Sequence, residues 1–389
     1  MTMVTTEWRE CKLDELGFVG RGKSRHRPRN DARLYGGPYP FIQTAEIMDA
    51  DPYITGYSQT YTEFGLQQSK LWPPNTLCIT IAGANTAETA ILKFEACFPD
   101  SIVGFIPDEK KADLHFVKYS LDLMKDKFLA VTRGATQDNL SLDKLLSFPL
   151  RMPPLLIQRR IAGILSAYDE LIENKQRRIK ILEEMARSIY REWFVHFLFP
   201  GHDKVKMVPS PLGPIPQGWE VKNVKEVLAR RPAGQVYREE DVVLEGTVPV
   251  IDQSTDALLG FHDNEPTHLA TPESPIAIFG DHTCKMQLLV EPFSIGPNVV
   301  AFEANVDRPI SYLFHIVRSL VQTQEYKRHW SQLTAKEIVL ADKSTAEHFS
   351  TSIQPSLQQV EVLRKASRVL RRTRDLLLPR LLSGQVHLT

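Results

Sequence analysis

Residues 155–194, LLIQRRIAGILSAYDELIENKQRRIKILEEMARSIYREWF, constrain the fold more than any other stretch. No proline interrupts them, and Gly163 near the start is the lone internal glycine. Ile161, Leu165, Tyr168, Ile172, Ile179, Leu182, Ala186, Ile189 and Trp193 recur at alternating intervals of four and three, broken only by Lys175. That spacing predicts a coiled-coil seam rather than an ordinary surface helix. At 1.5 Å per residue the rod would be about 60 Å long, more than one globular core needs, so it reads as a spacer. A helix with one apolar stripe needs a partner. The candidate is 354–378, where Leu363, Ala366, Leu370, Thr373 and Leu377 keep the same rhythm and Pro379 is expected to stop or kink the helix. Antiparallel pairing within the chain is expected; the alternatives are packing on the helix's own domain or on a neighbouring molecule.

The chain of 389 residues has room for two or three domains. Its composition is ordinary for a soluble globular protein, and it lacks an apolar run of membrane-spanning length or a signal-peptide core. A cytoplasmic location is therefore expected. Cys11, Cys78, Cys97 and Cys284 are scattered, which argues against a disulfide scaffold or a thiolate zinc site. Formal net charge is zero, yet basic residues cluster. Arg21, Lys23, Arg25, Arg27, Arg29 and Arg33 face only Asp31 in one stretch, and a second basic run lies between Arg364 and Arg380. Local electropositive surfaces are implied.

The chain also repeats itself. Trp8, Leu13 and Leu16 recur as Trp219, Val224 and Val227; Pro40-Phe41-Ile42 recurs as Pro249-Val250-Ile251, a glutamine following each time. Ile79–Gly83 aligns with Ile276–Gly280, and Phe105 with Phe302. The order is kept while the offset drifts from 211 to 197, as loop insertions would produce. Each mixed segment is followed by a helix. The expected fold is α+β: two homologous mixed α/β domains joined by two long helices pairing as an antiparallel coiled coil, with an internal pseudo-two-fold. The expected boundaries are 1–152 for the first domain, 153–198 for the central helix, 199–218 for a proline-rich linker, 219–352 for the second domain and 353–389 for the C-terminal helix and tail.

Residues 17–24, GFVGRGKS, fit the phosphate-binding pattern GxxxxGK[ST], but they lack a buried strand before them, and Pro28 stands where the helix should begin. A basic loop touching a phosphate backbone is the better reading, with a plain solvated loop as the alternative. His262 with His268, and His282 with Cys284, are pairs of mixed spacing that do not make a metal site. Asp281-His282 has no nucleophile elbow beside it. Recognition of DNA fits the residues better than catalysis does. Lys23, Arg25, Arg27 and Arg29 are candidates for phosphate contacts, and Gln43, Gln59, Gln235, Arg238 and Gln253 for base contacts. Ile161, Leu165, Tyr168, Ile172, Ile179, Leu182, Ala186, Ile189, Leu363, Leu370 and Leu377 are the candidate spacer positions.

Four segments carry a family resemblance: TRGATQDNLSLDKLLSFPLRMPPLLIQRRIAGIL (132–165), REWFVHFLFPGHDKVKMV (191–208), IPQGWEV (215–221) and LLLPRLLSG (376–384). In this order, on a duplicated framework, the sequence resembles the DNA-specificity subunits of type I restriction-modification systems. The resemblance implies a non-catalytic subunit with two target-recognition domains, each reading half of a split double-stranded DNA target, and paired helices that fix the gap. It implies two modification subunits transferring methyl groups from S-adenosylmethionine to adenine, and two ATP- and Mg-dependent restriction subunits, with no cofactor on this chain. The pattern departs at one place: GATQDNL (134–140) has only scattered similarity to HWSQLTAKEIVLAD (329–342). The rival classes are a coiled-coil adaptor without base recognition and a P-loop-like nucleotide-binding enzyme.

Overall fold

A computed structural model describes residues 7–83, 85–132, 139–254, 258–322 and 328–386. The chain forms two compact units, Met1–Lys175 with Ala366–Thr389, and Gln176–Lys365. Two long helices, Leu155–Tyr190 and Lys343–Leu382, link two mixed α/β domains.

In the first unit a five-stranded sheet runs in the order Gly17–Arg21, Ile102–Pro107, Leu77–Thr80, Thr89–Leu92, Tyr53–Ile54. A four-stranded sheet follows the order Gln59–Tyr61, Tyr35–Phe41, Ala96–Cys97, Leu71–Trp72, and Arg9–Cys11 pairs with Leu150–Met152. Strand alternation sends Leu77, Ile79, Val103 and Phe105 to one face, against Phe116, Val117 and Leu121 of the helix Leu114–Leu123. Ile161, Leu165, Leu381 and Leu382 of the long helices close the same core.

The second unit repeats this plan. Its four-stranded sheet is Leu228–Arg230, Val299–Ala304, Ile276–Gly280, Met286–Leu289; a three-stranded one is Gly260–His262, Val248–Ile251, Ser294–Ile295. Glu220–Asn223 pairs with Glu337–Leu340, as Arg9–Cys11 does with Leu150–Met152. A parallel pairing recurs at the same place in both domains, Phe41 with Cys97 and Val250 with Ser294, and the first domain has a further one, Tyr53 with Ile91.

The register corrects one alignment. Phe105 pairs with Leu77, but Phe302 pairs with Ala277, so the true equivalent of Ile79 is Phe279, not Ile276. Both segments read Ile-x-Ile, which makes the mistaken match attractive. An odd shift would turn every side chain to the wrong face: Ile79 and Phe279 face the helices, while Ile276 lies in the core on the opposite side of its sheet.

The same comparison restores the join that the sequence obscures. Leu140 N donates to Ile81 O as His329 N donates to Asp281 O. The helix Leu142–Ser147 then matches Trp330–Thr334, and each leads through a strand into a long helix. The C-terminal helix therefore starts at Lys343, eleven residues before the expected Gln354, and continues through Pro379 to Leu382. Asp342 starts it, its carboxylate accepting from Thr345 N (3.0 Å) and Thr345 Oγ1 (2.6 Å). An interior proline costs a helix about 3 kcal/mol, but Pro355 and Pro379 are exposed, and so are Thr351 and Asp375, whose carbonyls they leave unbonded. On the opposite face Ala346, Phe349, Ile353, Val360, Leu363 and Leu381 are buried. At roughly 1.5–3 kcal/mol for each large apolar side chain, that stripe outweighs both prolines.

The central helix is α-helical to Tyr190 and widens into a π-turn over Arg191–Val195, where the sequence suggested one regular helix to Phe194. The extra residue turns Phe194 into a pocket of Trp219, Tyr312 and Phe349. Every apolar stripe residue of this helix is buried or half-buried. The segment expected as a linker carries a short pairing of Met207–Val208 with Ile215–Pro216. Two helices, Leu114–Leu123 and Lys125–Thr132, meet at Met124. Residues 134–138 of the GATQDNL run lie outside the described residues.

Candidate nucleic-acid interface

The GFVGRGKS stretch has the geometry of a strand rather than a nucleotide loop. Gly17–Arg21 pairs antiparallel with Ile102–Pro107, Gly22 N donates to Ile102 O (2.9 Å) and Lys23 N to Phe98 O (3.0 Å). The amides that would cradle a phosphate are spent, and no helix follows. The glycines are required by close packing: a Cβ at Gly17 would lie 2.2 Å from Ile106 O, and one at Gly22 2.3 Å from Phe98 O. The histidine pairs are equally local. His262 Nε2 meets Ser294 Oγ at 2.9 Å with its ring stacked on Tyr237, and His268 stacks on Phe293. Asp281 Oδ1 accepts from His329 N and Trp330 N (3.0 and 2.8 Å), starting a short helix. No group of three His, Cys, Asp or Glu residues is placed to hold a metal among the described residues.

The basic loop after this strand divides into two classes. Arg21 donates to Asp100 O (3.0 and 2.8 Å) and Arg29 pairs with the Asp100 carboxylate (3.1 Å). Arg27 donates to Ser24 O and His26 O, and Arg33 holds Asp31 at 2.7 Å. The hydrogen bond from the Arg33 side chain, supported by its amide and by His26, holds the Asp31 carboxyl well below the usual range. These arginines shape the loop. Lys23 and Arg25 are exposed and have no carboxylate partner among the described residues.

Lys70 joins them, a residue that sequence reasoning passed over. Its ammonium lies 3.7 Å from the Trp72 ring centre and 4.3 Å from that of Phe18. Ser69 Oγ donates to Lys23 O (2.8 Å), bringing the two lysine segments together. Burial, and then the charge of Lys23, lower the Lys70 pKa. Two ammonium groups without an acid between them form the electropositive part of this surface. The signal available in the sequence was SKLW (69–72), a lysine beside an aromatic, which is too common to select.

Gln43 and Gln59 are brought together at the edge of the four-stranded sheet, both exposed, with Gln43 Nε2 donating to Gln59 Oε1 at 3.0 Å. Gln43 also opens the helix Thr44–Met48, where Glu46 Oε2 reaches back to accept from Gln43 N (3.0 Å). Burial pushes Glu46 up, but hydrogen bonds from Ser58 Oγ and the amides of Gln43, Glu46 and Ser58 outweigh it and leave its pKa below the usual value.

In the second domain the candidates are not assembled into one cluster. Gln235 is exposed beside the bridge from Val236 to Ile295. Arg238 is exposed but stands before Glu239, Glu240 and Asp241, with its Nη1 3.9 Å from Glu240. Gln253 Oε1 accepts from His282 N (3.1 Å) and its carbonyl from Thr283 Oγ1 (3.1 Å), so it braces a turn.

Two independent likenesses bear on the chain. The model of the Type I restriction modification DNA specificity domain matches residues 5–184. The type I restriction enzyme MjaIX specificity subunit of Methanocaldococcus jannaschii is 21% identical over 98% of this chain and 94% of its own length. The MjaVIII specificity subunit of the same organism is 25% identical over 49% of this chain and 43% of its length. In fold, the chain is similar to the S subunit of a type I restriction-modification system from M. genitalium, with TM-score 0.59, 18% identity and 98% of each chain covered. The first half of the chain thus matches the type I restriction modification DNA specificity domain, and each of these relatives is named as a specificity or S subunit of a type I system. Among the described residues no helix is long and apolar enough to cross a membrane.

Proposed function

We propose that this chain reads a split DNA target, one recognition domain per half, and directs adenine methylation there by associated modification subunits. The observation that carries the reading is the repeated set of three sheets, in the same order and with one parallel pairing in common, carrying unlike loops. Equal scaffolds with different loops suit two different half-sites. The proposed recognition domains are 1–152 and 219–352. The helices set the gap between halves and dock the partners.

Apolar side chains on the outer faces of the helices support docking: Leu171, Val369 and Leu376 in the first unit, and Ile181, Met185 and Val362 in the second, are all half exposed or more. The proposed partners are double-stranded DNA, two modification subunits using S-adenosylmethionine, and two restriction subunits using ATP and Mg, in the cytoplasm.

The phosphate contacts of the first domain are assigned to Lys23, Arg25 and Lys70. Replacing all three by Gln lowers the slope of log K against log salt by about 0.9 per lost contact, equally on all sequences. Replacing Arg27 and Arg29, which are engaged with loop carbonyls and with Asp100, leaves the slope nearly unchanged. The test is duplex binding over a NaCl series by the chain with its modification subunits. An assembled complex that binds without preference for any split sequence contradicts the reading and favours a plain adaptor.

A further inference from the structure

We infer that the second domain takes an extended, acidic segment of a modification subunit as an added strand along its open sheet edge, Met286–Leu289. The inference rests on the docking reading above and deepens it.

The two domains differ at this edge. In the first, residues 42–58 connect two strands of the four-stranded sheet and carry the helix Thr44–Met48 and the strand Tyr53–Ile54. That strand completes the five-stranded sheet by pairing parallel with Thr89–Leu92. Ile91 N donates to Pro52 O (3.1 Å) and Lys93 N to Ile54 O (3.3 Å). In the second domain the same connection is only 252–259, and it holds no helix or strand among the described residues. Its sheet ends at Met286–Leu289.

Register identifies the groups left over. Leu77 pairs with Phe105 and Ile91; its counterpart Ala277 pairs with Phe302 and Leu288. Leu288 and Val290 therefore stand where Ile91 and Lys93 stand. Gly280 N donates to Lys285 O (2.8 Å), and antiparallel alternation from there turns the Leu288 and Val290 amides away from the sheet. Neither amide has an acceptor among the described residues, although the two residues are only 8% and 7% exposed. An amide left without an acceptor in such a place costs free energy. An open edge is also a template for one more strand.

The space beside the edge selects for charge. A cleft of about 330 Å³ opens there, lined by Asp252, Lys285, Gln287, Glu183, Arg318 and Arg364. In the first domain the covering segment brings Asp51, which meets Arg371 at 3.0 Å and Arg374 at 3.7 Å. In the second, Glu183 meets Arg364 at 2.9 Å but Arg318 only at 3.9 Å, and no other carboxylate pairs with Arg318 among the described residues. Burial, and then the charge of Arg187, lower the Arg318 pKa despite Glu183. An acid on the added strand takes the place beside Arg318 that Asp51 has beside its arginines. Ile181, Met185 and Val362, assigned above to docking, are sequence neighbours of Leu182, Ala186 and Glu361, which line the adjoining pocket. One partner thus reaches both the helix surface and the strand edge.

Amide hydrogen exchange is measured on the full chain, alone and with its modification subunits bound. The Leu288 and Val290 amides are expected to exchange faster than those of Ile91 and Lys93 in the chain alone, and to slow by roughly tenfold or more in the complex. Arg318→Gln is expected to weaken assembly about fivefold, the worth of one partly exposed ion pair. Unchanged exchange in the strand Val299–Ala304 shows that this variant is folded. Slow exchange at Leu288 and Val290 in the chain alone, at every concentration or only at high ones, overturns the inference, because the chain itself or a second copy then covers the edge. A complex that methylates a split motif while these amides exchange as in the free chain also overturns it, and leaves the recognition reading standing. Undiminished assembly of Arg318→Gln overturns the choice of an acidic segment. Failure of the native chain to assemble with modification subunits overturns both readings.

Discussion

Lowering the pH from 7 to 5 is expected to destabilise the second unit by about 2 kcal/mol through one residue, His315. Its ring is buried in the helix Ile310–Val317, stacked on Tyr190 and set edge-on against Phe349. Neither ring nitrogen has a hydrogen-bond partner among the described residues. Burial, then the charges of Arg318 and Arg187, depress its pKa to about 3. In the unfolded chain the value is about 6.5, so between these two values the unfolded state binds more protons than the folded one. The stabilising contribution is complete above the unfolded value and is lost as pH falls toward the folded one. His315→Phe keeps the aromatic packing and removes the titration. Denaturant unfolding at pH 7 and pH 5 tests this: the native protein shifts and the variant shifts much less. Equal shifts would show that His315 is not the group responsible.

Breaking the ion pair of Asp169 and Arg374 is the second large effect. Within the first unit these residues meet at 2.6 Å on the inner faces of the two long helices, and Tyr119 also donates its hydroxyl to Asp169. Asp169 is 5% exposed. Burial pulls the Arg374 pKa down, but the hydrogen bond and charge of Asp169 more than reverse it. Arg374 reaches Asp51 at 3.7 Å and Arg371 lies 3.0 Å from it, tying the helix to the domain. Arg374→Ala leaves the buried Asp169 carboxylate without its counter-charge and should cost about 3–5 kcal/mol, while Asp169→Ala, which leaves Arg374 with Asp51 and Asp375, should cost less. Replacing both by Leu is expected to restore most of that loss. Chemical denaturation of the three variants decides the point: single losses under about 1 kcal/mol would place the pair among weak surface bridges.

The long helices and the duplication are legible in the sequence because each rests on many side chains. A 3,4 rhythm over nine positions needs no single residue, and the Trp8–Trp219 and Phe105–Phe302 echoes hold one order through changing loops. What depends on one or two residues is not legible. Register fails at Ile79 because neighbouring Ile-x-Ile runs differ by three residues and strand alternation permits only one. The start of the C-terminal helix is hidden because its first turns, KSTAEHFSTSIQP, are rich in Ser and Thr and contain Pro355. Tertiary burial of Ala346, Phe349 and Ile353 overrides that weak propensity. Asp169 sits one residue from the stripe position Tyr168, and a charge there looks like a solvated residue until Arg374 is brought against it. At the interface, the arginine-rich loop was visible as composition. Which cations are already engaged depends on Asp100 and backbone carbonyls far away in sequence.

As proposed above, two recognition domains read two halves of one DNA target. Mapping methylated adenines across a genome at single-base resolution, with the chain and its modification subunits active, tests it most directly. The expected result is one split motif, with two short defined halves, a fixed gap and a methylated adenine in each half. A continuous motif, or none from an intact complex supplied with S-adenosylmethionine, would contradict it.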